Sequence, residues 1–301
     1  MLRFDINKVD LSIDSAHTKL IKLVGENKKV LEVGCSTGYV SKVLTEQNNC
    51  TITGIEVASE AANKAAKFCS RIITGDVELM DYSKELAAEQ FDVITFGDVL
   101  EHLKNPGNVL TSLKPFLKNN GYLIASIPNI GHISIVLELL EGKFDYRSSG
   151  VLDDTHLRFF TKDGIQRLFN ESGLDIVHWD RVIIKPEETE FKTVLNKYPI
   201  SLLSFLEARS ESYTYQFIVK AIPYQNKPLV ELQQKAEMNA LEELRHTIEQ
   251  QELKLREFKL KINELTEKEK MLDKVTNAWI WKVSAPFRLL YEKIVAFKSS
   301  K

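Results

Sequence analysis

The sequence predicts an α/β protein in which helices cover both faces of a mostly parallel sheet. Short apolar runs rich in β-branched residues recur through residues 1–223, and helix-like segments separate them. Nearly continuous apolar strands that alternate with helices are typical of parallel sheets buried on both faces. The 301 residues, 44% of them hydrophobic, suffice for one such domain with a packed core and an appendage.

The elements follow from the same pattern. Five strands are predicted first, at 29–33, 51–55, 71–74, 91–96 and 121–127. Helices are predicted between them at 58–68, 98–103 and 108–118. Two further strands are predicted later, at 174–184 and 213–222. The last strand follows a long excursion, and we expect it to pair antiparallel at the end of the sheet.

Residues 129–160 break the alternation. They follow Pro128 and combine glycine and serine with aromatic and charged residues, and a helix is predicted to start after them near Thr161. Their position lies outside the carboxyl ends of the strands, where open α/β sheets bind ligands. We interpret the segment as an insertion that covers the substrate, with a variable surface loop as the alternative.

The chain after residue 223 has a different pattern. Residues 224–229 are predicted to be a linker, and 230–275 a coiled coil. Eight of ten a/d positions from Leu241 to Leu272 are apolar, and charged residues flank them. The pattern predicts a homo-oligomer, either dimer or trimer, while a helix packed on the first domain is the alternative.

The last segment, 276–301, combines aromatic and basic residues. Trp279, Trp281 and Phe287 can share one side of a helix, and Lys282 and Arg288 supply positive charge. This combination is typical of amphipathic helices that lie in a membrane interface. An oligomerisation contact at the end of the coil is the alternative.

Composition limits the class of protein. The net charge of −2 argues against a nucleic-acid partner. Three cysteines and no secretory signal predict a reducing, cytoplasmic environment without a disulfide framework. None of the six histidines pairs with a histidine or cysteine at zinc-ligand spacing, so no metal is predicted. No apolar run approaches the ~20 residues of a transmembrane helix.

The strongest local motif is VLEVGCSTGYVS at 30–41, where a buried strand ends in a glycine turn. Gly34 and Gly38 allow a sharp turn and the close approach of a ligand. A dinucleotide fingerprint, G-x-G-x-x-G, would require glycines where Ser36 and Tyr39 stand. The turn therefore disfavours a pyrophosphate site.

Acidic residues accompany the ends of the first four strands. Glu32 would repel a phosphate and attract a cation, which suits S-adenosylmethionine (SAM) with its ammonium and sulfonium groups. Glu56, at the tip of the second strand, is placed to accept hydrogen bonds from ribose hydroxyls, and it disfavours NADP. The remaining candidates are Asp76 for the adenine amino group with Val77 beside it, and Gly97 and Asp98 for the methionine part.

Together these pieces resemble the class I SAM-dependent methyltransferase family, in its ubiquinone-biosynthesis-like branch. The resemblance covers residues 29–127 and comprises E-V-G-C-S-T-G, Glu56, GDVE and FDVITFGDVLEHL followed by Pro106. Ser36 replaces the middle glycine of the family's E-x-G-x-G-x-G loop. The resemblance implies a Rossmann-like sheet of seven strands with the last one antiparallel, and SAM as the cofactor.

Candidates for catalysis lie in and around the insertion. Methyl transfer from SAM needs mainly proximity, and an alcohol acceptor also benefits from a general base, usually histidine near pH 7. In DDTHLRFFT, at 153–161, His156 is the candidate base or substrate ligand. Arg158 in the same motif and Arg147 before it are candidate anion or sugar contacts. His102 and His132 are further candidates. The alternatives are that His156 caps the next helix and that His102 only orients the cofactor loop.

The acceptor is predicted from a second resemblance. HLRFFT with the insertion resembles methyltransferases found with bacterial cell-surface polysaccharide enzymes, and the coil and tail are similar to those that cap O-antigen chains. This implies O-methylation of a glycan or lipid-linked sugar terminus at the inner face of the membrane. The competing hypotheses are a methyltransferase for a quinone-like small molecule and a non-catalytic scaffold of a glycosyltransferase complex.

Overall fold

The protein is seen in a computed structural model that describes residues 10–87 and 89–224 continuously. After residue 224 it describes only positions 245, 248, 251–252, 255–256, 258–259, 261–263, 265–274, 282, 284–289 and 292–293. The chain divides into two compact units, Met1–Val230 and Glu231–Lys301.

The first unit contains a seven-stranded sheet. Its strands are β1 (Lys29–Val33), β2 (Thr51–Glu56), β3 (Arg71–Thr74), β4 (Phe91–Gly97), β5 (Leu117–Pro128), β6 (Leu174–Ile183) and β7 (Thr214–Pro223). They lie in the order β3-β2-β1-β4-β5-β7-β6. Strands β1 to β5 pair in parallel, and β7 pairs antiparallel with β5 and β6. The predicted mixed sheet of seven strands is confirmed.

The place of β7 differs from our expectation, because it lies inside the sheet and β6 forms the edge. Burial explains the order. In β7, Phe217, Ile218 and Val219 are buried, whereas β6 exposes the side chains of His178 and Arg181. A strand that carries charged and polar side chains suits a sheet edge, where backbone groups meet solvent.

Helices pack on both faces of the sheet. They are α1 (Ala16–Val24), α2 (Tyr39–Glu46), α3 (Ser59–Ala65), α4 (Tyr82–Glu85), α5 (Pro106–Leu113), α6 (Ile133–Leu140), α7 (Lys162–Glu171) and α8 (Ile200–Glu207). Leu20 of α1 belongs to the same apolar cluster as Val30, and Leu110 of α5 to the same cluster as Leu31. Since successive residues of a strand point to opposite faces, these are two cores, one on each side of the sheet.

All three helices predicted between the first five strands are shorter than expected, and the one predicted at 58–68 spans only Ser59–Ala65. The segment predicted at 98–103 contains only a 3₁₀ turn, Leu100–His102. The helix predicted at 108–118 begins earlier, because Pro106 occupies its first turn, where a missing N–H costs nothing. It ends at Leu113, and β5 starts at Leu117.

The described part of the second unit is helical. Its apolar a/d residues between positions 245 and 274 are exposed in the single chain, among them Ile248, Leu255, Phe258, Ile262 and Leu265. Pairing with a partner helix stays a prediction. Most of the linker and of the tail, with Trp279 and Trp281, lies outside the described residues. No helix among the described residues has the length and apolarity needed to cross a membrane.

Candidate functional site

A cavity of about 740 Å³ opens at the carboxyl ends of the parallel strands. Strand order reverses direction between β1 and β4, and ligands bind at such switch points in open α/β sheets. Gly34, just after β1, and Gly97, at the end of β4, both line the cavity. The fold therefore places the candidate active site at the glycine turn that the sequence singles out.

The glycine turn has three backbone positions in the left-handed region, two of them glycines and the third Ser36, with φ 48°. Gly34 has φ 72° and Gly38 has φ 80°. A Cβ atom on Gly34 would lie 2.5 Å from Cγ2 of Val99, and one on Gly38 would lie 2.8 Å from Cα of Ala65. Gly34 and Ser36 contribute to the cavity lining, whereas Gly38 is the N-cap of α2 and packs against α3.

Glu56 fastens the glycine turn to the end of β2. Its carboxylate accepts hydrogen bonds from the backbone N–H of Ser36 at 2.8 Å and of Ala58 at 2.9 Å. The side chain lines the cavity. A carboxylate has about four acceptor positions, so lone pairs remain for the hydroxyl groups of a bound ribose.

Glu32 does not line the cavity in the way that the sequence analysis expects. Its carboxyl group is buried and accepts a short hydrogen bond from the Ser41 hydroxyl of α2. Burial raises the pKa of Glu32 to about 8, and the bond from Ser41 opposes this only in part. Near neutral pH the group is therefore largely uncharged, and the negative charge at the cavity comes from other acids.

Asp98 supplies part of that charge. It has φ 55°, and its Oδ1 accepts hydrogen bonds from the Ser126 hydroxyl at 2.7 Å and from the Gln216 amide. Gln216 belongs to β7, and nothing in the local sequence marks it as a site residue. Across the cavity, the exposed Asp76 accepts from the backbone N–H of Glu78 at 2.8 Å.

Val77 completes this side of the lining with a buried apolar surface. An apolar side chain next to an exposed carboxylate suits a nucleoside base, which presents a flat apolar face and polar edges. Both residues line the cavity, and their contact with an adenine stays a prediction.

His156 lies at the other end of the cavity, next to His102, with ring centroids 4.7 Å apart. Nδ1 of His156 lies 2.9 Å from the carbonyl oxygen of Val151. Because a carbonyl only accepts, Nδ1 carries the proton and Nε2 carries the lone pair. Burial lowers the pKa of His156, so the ring is neutral at neutral pH.

Glu101 shares this end of the cavity and was not singled out from the sequence. Its side chain is 1% exposed, and neither carboxylate oxygen has a hydrogen-bond partner. Burial raises the pKa of Glu101 well above its usual range, and Asp98 and Asp153 raise it further. The only sequence signal was its place beside His102 after the fourth strand.

The backbone of the insertion is hydrogen-bonded to the 3₁₀ turn Leu100–His102. The N–H groups of Leu157 and Arg158 donate to the carbonyl oxygen of Glu101 at 2.8 and 2.9 Å. The Arg158 guanidinium donates to the carbonyl oxygen of Lys104, at 3.1 Å from Nε. Arg158 is thus an exposed residue beside the cavity that holds the loop, and it does not contribute to the lining.

Two other candidates have structural roles. His132 is fully buried at the N-terminus of α6, where Nδ1 accepts from the N–H of Ser134 and Nε2 donates to the carbonyl oxygen of Ile184. Arg147 pairs with Glu138 and lies 4.4 Å from the ring centroid of Phe191. Both side chains are used within the fold, which corrects our expectation that they contact substrate.

The lining fits a cationic nucleoside. The glycine turn leaves room for close approach, Glu56 offers acceptors for hydroxyl groups, and the carboxylates of Asp76 and Asp98 line the same space. These acids would repel the phosphates of a dinucleotide and attract an ammonium or sulfonium group. The residues present therefore suit SAM.

The comparisons with known proteins identify a methyltransferase domain in this chain. Residues 8–179 match a family model described as a methyltransferase domain. The ubiquinone biosynthesis O-methyltransferase of Burkholderia pseudomallei (strain 1710b) is 25% identical over 191 residues, which cover 62% of this chain and 79% of that protein. Its counterpart from Histophilus somni (strain 2336) is 36% identical over 109 residues, covering 34% and 45%.

Solved structures of low identity are also similar. A SAM-dependent methyltransferase from Archaeoglobus fulgidus has a TM-score of 0.48 and 15% identity, covering 70% of this chain and 96% of that one. Magnesium protoporphyrin IX methyltransferase from Synechocystis PCC 6803 with bound SAH has a TM-score of 0.45 and 14% identity, covering 70% and 82%. The family match spans more than half of the chain, so this protein belongs to the methyltransferase-domain family and is a SAM-dependent methyltransferase.

Proposed function

We propose that this enzyme methylates a hydroxyl oxygen at a sugar or glycan terminus during the synthesis of a cell-surface polysaccharide. The observation that carries O-methylation is the fixed tautomer of His156. Its Nδ1–H is held by the Val151 carbonyl, and its ring lines the cavity, so Nε2 offers a lone pair to an acceptor hydroxyl.

The residues divide the chemistry between them. Glu56, Asp76 and Asp98 would hold the donor, which when bound supplies an electrophilic methyl group. His156 takes the hydroxyl proton at Nε2, and its lowered pKa keeps this nitrogen unprotonated near pH 7. Positioning supplies most of the remaining rate enhancement, because the sulfonium is already a good leaving group.

Exposed aromatic rings beside the cavity favour a sugar acceptor. The ring of Phe159 lies 6.3 Å from that of His156, and Phe144 and Tyr146 pack on Phe159. Tyr146 is 55% exposed. Aromatic rings offer flat apolar surfaces against which the C–H face of a sugar can lie.

The sequence of the second unit supports a location at the inner face of the cell membrane as part of this proposal. The heptads favour a homo-oligomer, and the basic aromatic tail favours contact with the inner face of the cell membrane. A lipid-linked sugar would be met there. No nucleic-acid partner is part of the proposal, since the chain carries a net charge of −2.

A quinone-like small molecule is the second candidate acceptor. The names of the curated relatives favour it, since several are ubiquinone biosynthesis O-methyltransferases. Both candidates accept the methyl group on oxygen, so the assignment of His156 is common to them.

The experiment offers both acceptors to the full-length protein with SAM. One set holds host glycans with free terminal hydroxyls, and the other a catechol-type quinone precursor. Mass spectrometry should show one added methyl group on the glycan terminus and none on the catechol. H156A should lower kcat by roughly 10²- to 10⁴-fold, whereas H178A, which removes an exposed histidine from β6, should not change it.

The other outcomes are distinct. Methylation of the catechol alone would select the second candidate. If S-adenosylhomocysteine (SAH) binds but neither acceptor set is methylated, the O-methylation proposal is wrong. Surface glycans from the host with and without the protein give an independent check, since the terminal methyl group should be lost without it.

A further inference from the structure

Glu101, His102 and His156 meet at the acceptor end of the cavity. We infer that these three side chains bind one divalent transition-metal cation, which activates the acceptor hydroxyl. The inference rests on the proposed O-methylation for the role of the cation, and it replaces the imidazole of His156 by the cation as the group that activates the hydroxyl. Binding of the cation itself does not require that function. Three observations support the site.

The first observation is geometric. The possible ligand atoms of Glu101, His102 and His156 all lie within 4.8 Å of one another. A cation about 2.1 Å from each ligand atom requires these atoms to lie roughly 3–4 Å from one another. Side-chain movements of about 1 Å would bring the three ligand atoms to that spacing. The backbone bonds from Leu157 and Arg158 to Glu101 keep the insertion in register with the turn.

The second observation is the unpartnered carboxyl group of Glu101. It is 1% exposed, and neither oxygen accepts or donates a hydrogen bond. Buried polar groups are almost always satisfied, and a buried carboxylate without a partner is costly. A cation beside Glu101 would satisfy both its charge and its lone pairs.

The third observation is that both imidazoles are held by their Nδ1 atoms. His156 donates to the carbonyl oxygen of Val151 at 2.9 Å. Nδ1 of His102 lies 3.2 Å from the carbonyl oxygen of Thr155 and 3.1 Å from the hydroxyl of the same residue, whose own proton is donated to Asp153. This fixes the tautomer in which Nε2 carries the lone pair in each ring. Histidine ligands of metals almost always donate the other ring N–H in this way.

The donor set indicates the kind of cation. Two imidazole nitrogens and one carboxylate suit zinc, manganese, iron or cobalt better than calcium, which prefers oxygen ligands. Three protein ligands also leave coordination positions open, as in catalytic sites and unlike closed structural ones. The cavity gives a hydroxyl group access to such a position.

The cation would change how the acceptor loses its proton. A hydroxyl that binds a divalent cation has a lowered pKa, so its proton can pass to solvent. The oxygen then forms its bond to the methyl carbon as the methyl–sulfur bond breaks. With the cation bound, Nε2 of His156 is one of its ligands and does not accept the hydroxyl proton. The cation then promotes loss of that proton in place of the imidazole.

The test measures binding directly. Full-length protein is freed of metal with a chelator and titrated with Co²⁺, followed by visible absorption and calorimetry. Wild type and H178A should bind one equivalent with the same affinity. E101Q and H156Q should each weaken binding at least 100-fold, because each loses one of three ligands. SAH binding by every variant checks the fold.

The results separate the two proposals. If wild type binds SAH but binds Co²⁺ no better than H156Q does, the cation site is wrong and O-methylation by the imidazole stands. If one equivalent binds in wild type and is lost in H156Q, the site is supported even where no hydroxyl acceptor is methylated. Should E101Q fail to bind SAH, H156Q decides the question by itself.

Discussion

Glu56 shows how one side chain serves both the fold and the ligand. It holds the backbone of Ser36 and Ala58, and its remaining lone pairs face the cavity. Hydrogen bonds to a charged group are worth about 1.5–3 kcal/mol each, so losing two to a ribose costs roughly 100-fold in affinity or more. We expect E56A to raise the Kd for SAH by that factor in calorimetric titration.

The matched control is E60A, which removes an exposed carboxylate from α3 that pairs with Lys64. Its Kd for SAH should equal that of wild type. Equal affinities in E56A and wild type would show that Glu56 does not contact the ribose.

Glu32 predicts a pH dependence of stability. Burial raises its pKa from 4.5 to about 8 in the folded protein, so folding favours the protonated form. The free energy of unfolding should fall as the pH rises from 4.5 to 8 and level off above that, by a few kcal/mol at most at about 1.4 kcal/mol per pKa unit. Glutamine stays neutral and keeps an acceptor for Ser41.

E32Q should therefore match wild type near pH 4.5 and become progressively more stable than it up to pH 8. Thermal melts at five pH values measure the difference between the two proteins. If the stabilities of E32Q and wild type change with pH in the same way, the burial of a titrating carboxyl group at Glu32 is contradicted.

At the scale of elements, the glycine turn that follows β1 packs against the loop after β4, where Gly34 meets Val99. G34A places a methyl group 2.5 Å from the Val99 side chain at a positive φ. G25A is the matched control, since Gly25 has φ 75° and open space around its Cβ position. G34A should lose about 1–3 kcal/mol more stability than G25A and bind SAH more weakly.

The double variant G34A/V99A tests the cause. Removing the two methyl groups of Val99 relieves the clash, so the destabilisation by G34A should be smaller in the V99A background. If the losses of stability caused by G34A and V99A in thermal melts simply add, the destabilisation by G34A comes from backbone strain alone.

Elements differ in how far the sequence predicts them. The inner strands β1, β2 and β4 followed from local patterns, because their apolar runs are buried on both faces and need no distant partner to be recognised. The position of β7 did not, since it depends on which strand better tolerates an exposed edge. The helix predicted at 98–103 is only a turn, because its residues form the cavity instead of a continuous helical face.

For the site as well, the sequence predicts residues near strand ends but not contacts between distant segments. Gly34, Gly97, Glu56, Asp76 and Asp98 each lie at or near a strand end, and local sequence was enough to place them at the cavity. The burial of Glu101 and its proximity to His156 depend on the folded insertion, so no spacing rule predicted the cluster. Glu32 was misjudged because strand alternation turns its side chain under α2.

At the scale of the whole molecule, the sheet and the cavity belong to the first unit, and the predicted coil and tail to the second. Removal of residues 229–301 should leave the Kd for SAH and the methylation of a soluble acceptor unchanged. The same truncation should reduce the native mass to that of a monomer and abolish sedimentation with vesicles that contain anionic lipid.

A substitution separates the two functions assigned to the second unit. The double variant K282E/R288E reverses charge in the tail and leaves the heptads intact, so it should release the protein from anionic vesicles without changing its native mass. Raising the salt concentration should have the same effect on wild type. If the charge reversal instead dissociates the oligomer, the tail acts as an assembly contact, and the membrane assignment is wrong.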